Sequence, residues 1–456
     1  MNFKDILHNL PEVRAPLEKK LDFNTKLKWT IIVLAAFFIL SNIFVYGLVG
    51  NSLQDFETLA LLLGTKFGSI ISLGIGPIVM ASIILQLLVG SKIIDIDTST
   101  DEGKKYFQGV QKLMVLFFVV FEAVVYVLMK GLQANPGLEI VVIGQLILGG
   151  LAIVFMDEVS NKWGFGSGVS LFIAAGVATS LFTAAFQFLG KEGGQTVISW
   201  SGRIPVLIKA VIEGNQTTAL LAAVALLVTA FIFIIVVWAQ SLKVEVPLSY
   251  DRLRGYGIRW PLSFFYASVI PVILSAALIA NLQLFARLAE SALGHATILG
   301  GFSGRTAVSG LAFWLSSTNL VNMLITSGSI PLNYLLQGLT HMLFFTLFSV
   351  IFAVFWVKTS GMDASSQARN ILKSGLQIPG FRKDERVLES ILSRYILPLT
   401  IMGGAAIGIL AATADLLGAL TSGTSILLAV MIFYQFYQNI SQQHSVDMHP
   451  ALRKFM

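Results

Sequence analysis

Long apolar stretches, separated by short polar segments, recur along the whole chain. Each stretch is about 20 residues long, which is the length that an α-helix needs to cross a hydrocarbon layer of roughly 30 Å. The pattern therefore predicts an all-α polytopic membrane protein with ten transmembrane helices. The predicted spans lie at about 28–49, 70–90, 107–129, 138–156, 166–189, 217–241, 260–286, 332–357, 395–414 and 424–441.

One apolar segment is too short to cross a membrane. Residues 53–64 would form a helix of only about 16–18 Å at 1.5 Å per residue, so this helix can enter a bilayer but cannot span it. Ser52, with Asp55 three residues later, is a typical helix start, and Gly64 is a typical stop. The sequence therefore predicts a re-entrant half-helix directly before the second span.

Composition and charge support a membrane protein and predict its orientation. Hydrophobic residues make up 55% of the chain and charged residues 12%, whereas soluble domains carry about 25% charged residues. With the N-terminus inside, 24 of the 31 Lys and Arg residues fall in inner segments, as the positive-inside rule requires. We expect both termini to be cytoplasmic, and residues 1–27 to form an amphipathic segment with a short surface helix over Phe3–Leu21.

The spans divide into two five-helix halves, residues 28–190 and 217–441, followed by a cytoplasmic tail at 442–456. Because five is an odd number, the second half is inverted relative to the first, and span 2 corresponds to span 7. Pro77 lies near the start of span 2 and Pro271 lies in span 7. Matching helix breakers in inverted halves indicate a site at the repeat interface, although two ordinary proline kinks would give the same pattern.

Catalytic and metal-binding chemistry has few candidates in this sequence. Glu122 is the one carboxylate in the middle of a predicted span, and His341 is the one histidine within a span. For each, a hydrogen bond to a neighbouring helix is the simpler interpretation than a proton relay or a ligand. The chain has no cysteine, and the glycine run GFGSG at 164–168 lacks a phosphate-binding lysine. We therefore expect neither an enzyme nor a cofactor.

Apolar pairs at helical spacing lie beside the predicted helix breakers. Each pair places two side chains on one helix face. Ordinary core packing produces the same spacing, so the spacing alone does not identify a function. The pairs are Ile75 with Val79, Val169 with Ile173, and Ile270 with Ile273.

Several long motifs follow one another along the chain. They include LGIGPIVMASIILQLLVG (73–90), DEVSNKWGFGSGVSLFIAAGV (157–177), IPVILSAALIANLQL (270–284) and GFRKDERVLE (380–389). Together they resemble the SecY family, the large subunit of the Sec protein-conducting channel, in its archaeal form. The resemblance covers residues 1–456. It implies a channel that translocates secretory polypeptides across the membrane and releases membrane segments sideways into lipid.

The resemblance implies roles for the half-helix, for the apolar pairs and for the helix breakers. Residues 53–67 match a plug that closes the channel, with Ser52, Asp55, Phe56, Glu57, Leu61 and Gly64 as plug residues. A pore ring of aliphatic side chains, which excludes water and ions by dewetting, matches Ile75, Val79, Val169, Ile173, Ile273 and Leu428. A lateral gate toward lipid matches Gly74, Gly76, Pro77, Gln86, Pro271 and Asn281.

The resemblance also implies partners. The inner loops between spans 6 and 7 and between spans 8 and 9 would dock the ribosome, although the positive-inside rule alone also explains their charge. The docking residues are Arg252, Arg254, Arg382 and Lys383. Other expected partners are a small SecE/gamma subunit, a Sec-beta subunit, signal peptides, nascent polypeptides and the lipid of a cell (plasma) membrane, but not DNA. A secondary transporter of a small solute is the alternative, because broken helices in inverted halves are also its signature.

Overall fold

The structure is a computed structural model, and it describes residues 10–17, 21–51, 60, 65–90, 93–94, 96, 100–192, 195–198, 200–250, 257–267, 270–303, 306–373, 376–377 and 384–448. These residues are mostly α-helical. The helices are α1 Phe23–Ser41, α2 Gly76–Gly90, α3 Asp101–Leu128, α4 Glu139–Trp163, α5 Gly168–Phe186, α6 Arg203–Ile212, α7 Gln216–Ser241, α8 Ile270–Leu293, α9 Gly310–Leu315, α10 Leu320–Ser327, α11 Leu332–Thr359, α12 Ala364–Lys373, α13 Glu385–Leu417 and α14 Gly423–Met448.

The lengths and apolarity of these helices confirm the all-α membrane architecture. Among the described residues, eight helical stretches are long and apolar enough to cross a membrane. The shorter α2, with 15 residues, and α14 take the places of the other two predicted spans. The helices are therefore consistent with ten spans, and the chain is a multi-pass membrane protein.

At three predicted spans, a turn or a strand replaces helix at one end of the predicted range. Helix α1 ends at Ser41, because the next residues turn into a short strand, β1, that pairs with β2. Helix α2 begins at Gly76 rather than near residue 70, because tight turns precede it. Helix α8 begins at Ile270 rather than at residue 260, because a strand, β6, occupies the apolar residues before it. The strands are β1 Leu48–Asn51, β2 Leu132–Ala134, β3 Leu189–Glu192, β4 Gln195–Ile198, β5 Lys243–Tyr250, β6 Gly257–Ser263, β7 Gly301–Ser303, β8 Thr306–Ser309 and β9 Leu376–Gln377.

Residues 65–75, which lead from the end of the predicted plug to α2, form consecutive turns instead of a helix. The N–H groups of Ser72, Gly74 and Gly76 each donate to the carbonyl oxygen three residues earlier. Gly74 has a φ angle of +53°, a backbone conformation that glycine adopts without a steric penalty. The N–H of Ile70 donates to the carbonyl of Ile43 at 2.9 Å. The segment is therefore attached to the residues that follow α1, and the span predicted over 70–90 is not helical in its first residues.

One apolar core joins the two halves. It contains buried side chains from α1, α2, α4 and α5 of the first half and from α7, α8, α11, α13 and α14 of the second half. Five of the six predicted pore-ring residues belong to this core, and Val169 packs against it. Helices in a membrane associate through close van der Waals packing, because lipid is as apolar as the side chains, so close packing at the centre also holds the halves together.

Two loops that the sequence predicts to dock a partner meet in one small sheet. Strand β5 (Lys243–Tyr250) pairs antiparallel with β6, and it also pairs with β9 (Leu376–Gln377). Tyr250 lies opposite Leu376. The loop before α8 and the loop before α13 are thus joined at their bases.

The N-terminal residues 10–17 contain no helix, so the surface helix expected over Phe3–Leu21 does not extend through them. They are held on the end of α4. The N–H of Val13 donates to Glu158 Oε2 at 2.8 Å, and the Trp163 indole N–H donates to the Arg14 carbonyl at 3.0 Å. A hydrogen bond from Lys162 lowers the pKa of Glu12.

Close packing of α4 on the turn segment gives a test of the fold. A Cβ atom at Gly149 would lie 1.9 Å from the Ile70 carbonyl oxygen, whereas a Cβ at Gly144 has no heavy atom within 4 Å. We expect Gly149→Ala to destabilise the protein by about 1–3 kcal/mol through steric overlap. The matched Gly144→Ala should be neutral or stabilising by up to about 1 kcal/mol. Melting temperatures of the two purified variants in detergent compare them, and equal values would contradict this packing.

Candidate functional site

The six predicted ring residues lie at the beginnings of four helices. Val79 is in the first turn of α2, Ile273 is in the first turn of α8, and Val169 is the second residue of α5. Ile75 directly precedes α2, and its carbonyl accepts a hydrogen bond from the Val79 N–H at 3.0 Å. Ile173 and Leu428 lie one turn further along α5 and α14. The second and the fifth spans of each half therefore begin at this place.

The two prolines start helices instead of kinking them. Pro77 is the second residue of α2, and Pro271 is the second residue of α8. The first N–H groups of a helix have no intrahelical acceptor, so a proline there loses no hydrogen bond. The interpretation of these prolines as kinks or breaks within a span is therefore wrong, whereas their matching positions in the two halves are confirmed.

The ring residues are closed to solvent. Five of the six side chains are no more than 6% exposed, and Val169 is partly buried against the same core. Their neighbours in that core are other apolar side chains, both aliphatic and aromatic. A constriction of this kind offers no hydrogen-bond partner to water, so a thin water column through it is unfavourable.

A large cavity leads to one side of the ring. Its volume is about 1240 Å³, and its lining includes Val79, Val169 and Ile273 but not Ile75, Ile173 or Leu428. Three ring residues therefore form part of the cavity wall, and the other three lie behind them in the core. The six residues therefore lie at the boundary between this cavity and the buried apolar core.

The rim of the cavity is polar, in contrast to the ring. The first turns of α3 contribute Lys105, Gln108 and Gln111, and the end of α4 contributes Glu158 and Asn161. An ion pair between Lys112 of α3 and Glu158 joins the two helices. The sequence-based site set does not contain these residues, although the polar positions in KKYFQGVQK (104–112) are a signal that could have identified them. Water can fill the cavity as far as the ring.

The predicted gate set includes residues of α2, a helix that packs against the second half of the chain. Helix α2 packs against α8 and α11, and a Cβ atom at Gly90 would lie 2.5 Å from the Phe355 ring. Gln86 and Asn281 are both buried. The Asn281 amide donates to the Ala277 carbonyl at 2.8 Å, and Gln86 Oε1 has no hydrogen-bond partner among the described residues. No hydrogen bond joins the two amides.

Glu122 is buried, as expected, but its predicted hydrogen bond to a neighbouring helix is absent. Neither carboxylate oxygen has a hydrogen-bond partner among the described residues. The carboxylate instead lies against Gly76 at the start of α2, where a Cβ atom would be 2.9 Å from Oε2.

Two sets of predicted residues lie outside the described residues. The plug set comprises Ser52, Asp55, Phe56, Glu57, Leu61 and Gly64, and the docking set comprises Arg252, Arg254, Arg382 and Lys383. Within the part of the chain that the structure describes, no group of three or more His, Cys, Asp or Glu residues could hold a metal ion.

Comparison with known proteins gives one family. The sequence model of the SecY family matches residues 69–437. The chain is similar to protein translocase subunit SecY of Methanothermobacter thermautotrophicus, with 42% identity over 459 residues, 100% of this chain and 98% of that protein. The fold is similar to a solved SecY channel whose plug domain is described as stabilising the closed state and maintaining a membrane seal. That match has a TM-score of 0.81 and 37% identity, and it covers 99% of each chain. It is also similar to Sec61 in the canine ribosome-channel complex from the endoplasmic reticulum, with a TM-score of 0.80, 35% identity and 99% of each chain covered.

Three ring residues line the cavity and three do not. Thiol labelling tests this difference, because the chain has no cysteine of its own. We expect single Val79→Cys and Val169→Cys variants to react with a charged, water-soluble thiol reagent. Single Ile75→Cys and Leu428→Cys variants should react at least about tenfold more slowly. A factor of ten corresponds to a free-energy difference of about 1.4 kcal/mol for exposing the buried thiol to the reagent. Labelling is followed by mass spectrometry of the folded protein in detergent. Equal rates at all four positions would contradict the cavity geometry.

Proposed function

Because the chain belongs to the SecY family and is a protein-conducting channel subunit, we propose that its ring of six aliphatic residues forms the seal of the pore. The observation that supports this proposal is that three ring residues line a large cavity that also has polar residues in its wall, whereas the other three ring residues are buried in the core. Val79, Val169 and Ile273 face the cavity, and Ile75, Ile173 and Leu428 close the path behind them.

Aliphatic side chains suit both tasks of such a seal. They bar water and ions at rest because an apolar constriction dewets. They offer no hydrogen bond or charge that would retain a particular polypeptide sequence during passage. The side chains project from helix starts, so a moving chain displaces them when the first turns of α2, α5, α8 and α14 separate.

A lateral exit follows from the contact of α2 with α8 and α11. We place the gate along this contact, with Gly74, Gly76 and Pro77 at its first-half end and Pro271 and Asn281 in its second half. Gln86 and Asn281 are buried amides that are not bonded to each other. Separation of the helices breaks no hydrogen bond between these two amides, which favours opening toward lipid. A hydrophobic segment of the substrate then partitions into the membrane.

The plug role of residues 53–67 rests on family membership. A related SecY channel has a plug domain that is described as stabilising the closed state. In this chain the buried turn segment 65–75 connects the proposed plug to the ring helix α2. A plug attached at this point would follow movements of that helix.

We propose that the chain lies in the cell (plasma) membrane and that the cavity faces the cytoplasm. Both termini would lie on the cytoplasmic side as well. The excess of Lys and Arg in the inner segments supports this orientation. The two docking loops are joined at their bases by the β5–β9 pairing, so Arg252, Arg254, Arg382 and Lys383 belong to neighbouring loops. We propose that these loops bind the ribosome, as the similar canine Sec61 occurs in a ribosome-channel complex.

Smaller subunits and translocated chains complete the proposed set of partners. We expect a SecE/gamma-type subunit and a Sec-beta-type subunit to pack on lipid-facing helices, and signal peptides and nascent polypeptides to enter through the cavity. The family assignment favours this channel over a secondary transporter of small solutes.

The seal predicts an ion leak when its apolarity is removed. In a variant that combines Ile75→Ser, Val79→Ser and Ile273→Ser, we expect resting conductance events to be at least about tenfold more frequent. Loss of one well-buried aliphatic contact already corresponds to about that factor. Planar-bilayer recordings measure the events. The matched control changes the exposed Leu339, Leu343 and Leu347 of α11 to Ser and should stay closed. A silent ring variant of normal stability would exclude these residues from the seal.

The docking proposal predicts a charge effect on ribosome binding. We expect Arg382→Glu to weaken co-sedimentation with ribosomes and to reduce the slope of log affinity against log salt by about one, because one phosphate contact is lost. Lys209→Glu, a reversal at a half-exposed lysine of α6 in the predicted outer segment between spans 5 and 6, is the control and should leave binding unchanged. Unaltered affinity and salt dependence for Arg382→Glu would contradict ribosome docking through this loop.

A further inference from the structure

The two ring helices α5 and α14 begin with the same short pattern. The first is Ser167-Gly168-Val169-Ser170, and the second is Ser422-Gly423-Thr424-Ser425. In both, the first serine hydroxyl accepts a hydrogen bond from the N–H of the second serine, at 3.5 Å in α5 and 3.3 Å in α14. The pattern thus recurs at the start of the fifth span of each inverted half.

A carboxylate from the preceding span completes each helix start. Asp157 of α4 accepts a hydrogen bond from the N–H of Val169 at 2.9 Å. Asp415 of α13 accepts one from the N–H of Thr424, also at 2.9 Å, and a second from the Thr424 hydroxyl. Free N–H groups at a helix start bind a negative acceptor well. Here the acceptor comes from another helix instead of the local chain.

The glycine of each pattern permits this contact. A Cβ atom at Gly168 would lie 2.6 Å from Asp157 Cα, and a Cβ atom at Gly423 would lie 2.1 Å from the carbonyl carbon of Ala414. Real Cβ atoms do not approach other atoms so closely. The fourth span of each half can therefore touch the start of the fifth only because these two residues lack a side chain.

These contacts bear directly on the pore ring. Val169, whose N–H binds Asp157, is itself a ring residue, and Ile173 lies one turn later. Leu428 lies one turn after Thr424. Asp415 also lies 3.5 Å from the Nε2 atom of His341, whose Nδ1 atom is 2.7 Å from the Leu315 carbonyl oxygen. Through His341, Asp415 is therefore in contact with the segment that precedes α11.

We propose that Asp157 and Asp415 are positioning residues for the pore seal, and that each clamps the start of a ring helix through the repeated Ser-Gly-x-Ser pattern. The proposal rests on the proposed role of the ring, because it assigns these carboxylates to the alignment of Ile173 and Leu428. Each clamp fixes the first turn of its helix at rest, and its release lets the ring side chains move apart.

The test uses Ile173→Cys as the reporter, in a chain that has no other cysteine. Its labelling rate with a charged thiol reagent is compared in three backgrounds. Asp157→Ala removes the acceptor, and we expect labelling to be about fivefold faster, the factor that corresponds to loss of a typical helix cap. Asp157→Asn keeps an oxygen acceptor and should label at close to the parent rate. Alanine is a better helix former than aspartate, so a faster rate does not arise from weakening α4.

Asp363→Ala is the matched control. Asp363 also accepts a hydrogen bond from an N–H at a helix start, that of Ser366 at 3.3 Å, but α12 carries no ring residue. This variant should leave the labelling of Ile173→Cys unchanged. Equal labelling in the Asp157→Ala and parent backgrounds, or equal acceleration by Asp157→Asn and Asp157→Ala, would overturn the clamp.

A second arm covers α14 if Asp157→Ala fails to fold. Leu428→Cys is labelled with and without Asp415→Ala, and the same acceleration supports the clamp, whereas no change overturns it. Conductance of the ring variant with three serines separates the two proposals. Faster labelling with a silent ring variant contradicts the seal and leaves the positioning role, whereas a leaking ring variant with unchanged labelling contradicts the positioning role alone.

Discussion

Exclusion of water from a narrow aliphatic constriction is the constraint on which the rest of this structure depends. A channel wide enough for a polypeptide must still bar ions at rest, and hydrocarbon side chains do so without binding the substrate. The ring residues are buried in a core shared by both halves. If the ring is the seal, as we propose, closing the pore and joining the halves are one packing event, and opening must break part of that apolar contact.

The starts of four helices surround this constriction, and each start has N–H groups that need a partner away from water. The second spans and the fifth spans meet this need differently. In α2 and α8 the second residue is proline, Pro77 or Pro271, which has no N–H to satisfy. In α5 and α14 a carboxylate from the preceding span, Asp157 or Asp415, accepts the exposed N–H. The inverted halves thus share both solutions.

The sequence predicts the helical class, the approximate spans and the matching prolines, because hydrophobic periodicity and helix-start residues are local signals. It does not predict that Pro77 and Pro271 begin helices, since a proline at a helix start and one within a span look alike until the first residue of the helix is known. The sequence does not predict strand β6, because the apolar residues of GIRWPLS directly precede a long apolar stretch and look like the beginning of that span. The contact between Asp157 and Val169 joins two helices across a turn, so no periodicity reveals it. The resemblance to the SecY family, and not the spacing, identifies the ring residues.

Crosslinking of a substrate inside the pore tests the central claim most directly. A photoreactive amino acid replaces Val79 in the ring or, as a control, Leu343 on the lipid-facing side of α11. A secretory polypeptide is stalled in the membrane-embedded channel before illumination. The account predicts that hydrophilic segments of the stalled chain crosslink to position 79 and not to position 343. Translocation that proceeds normally with no crosslink at position 79 would show that polypeptides do not pass through this ring.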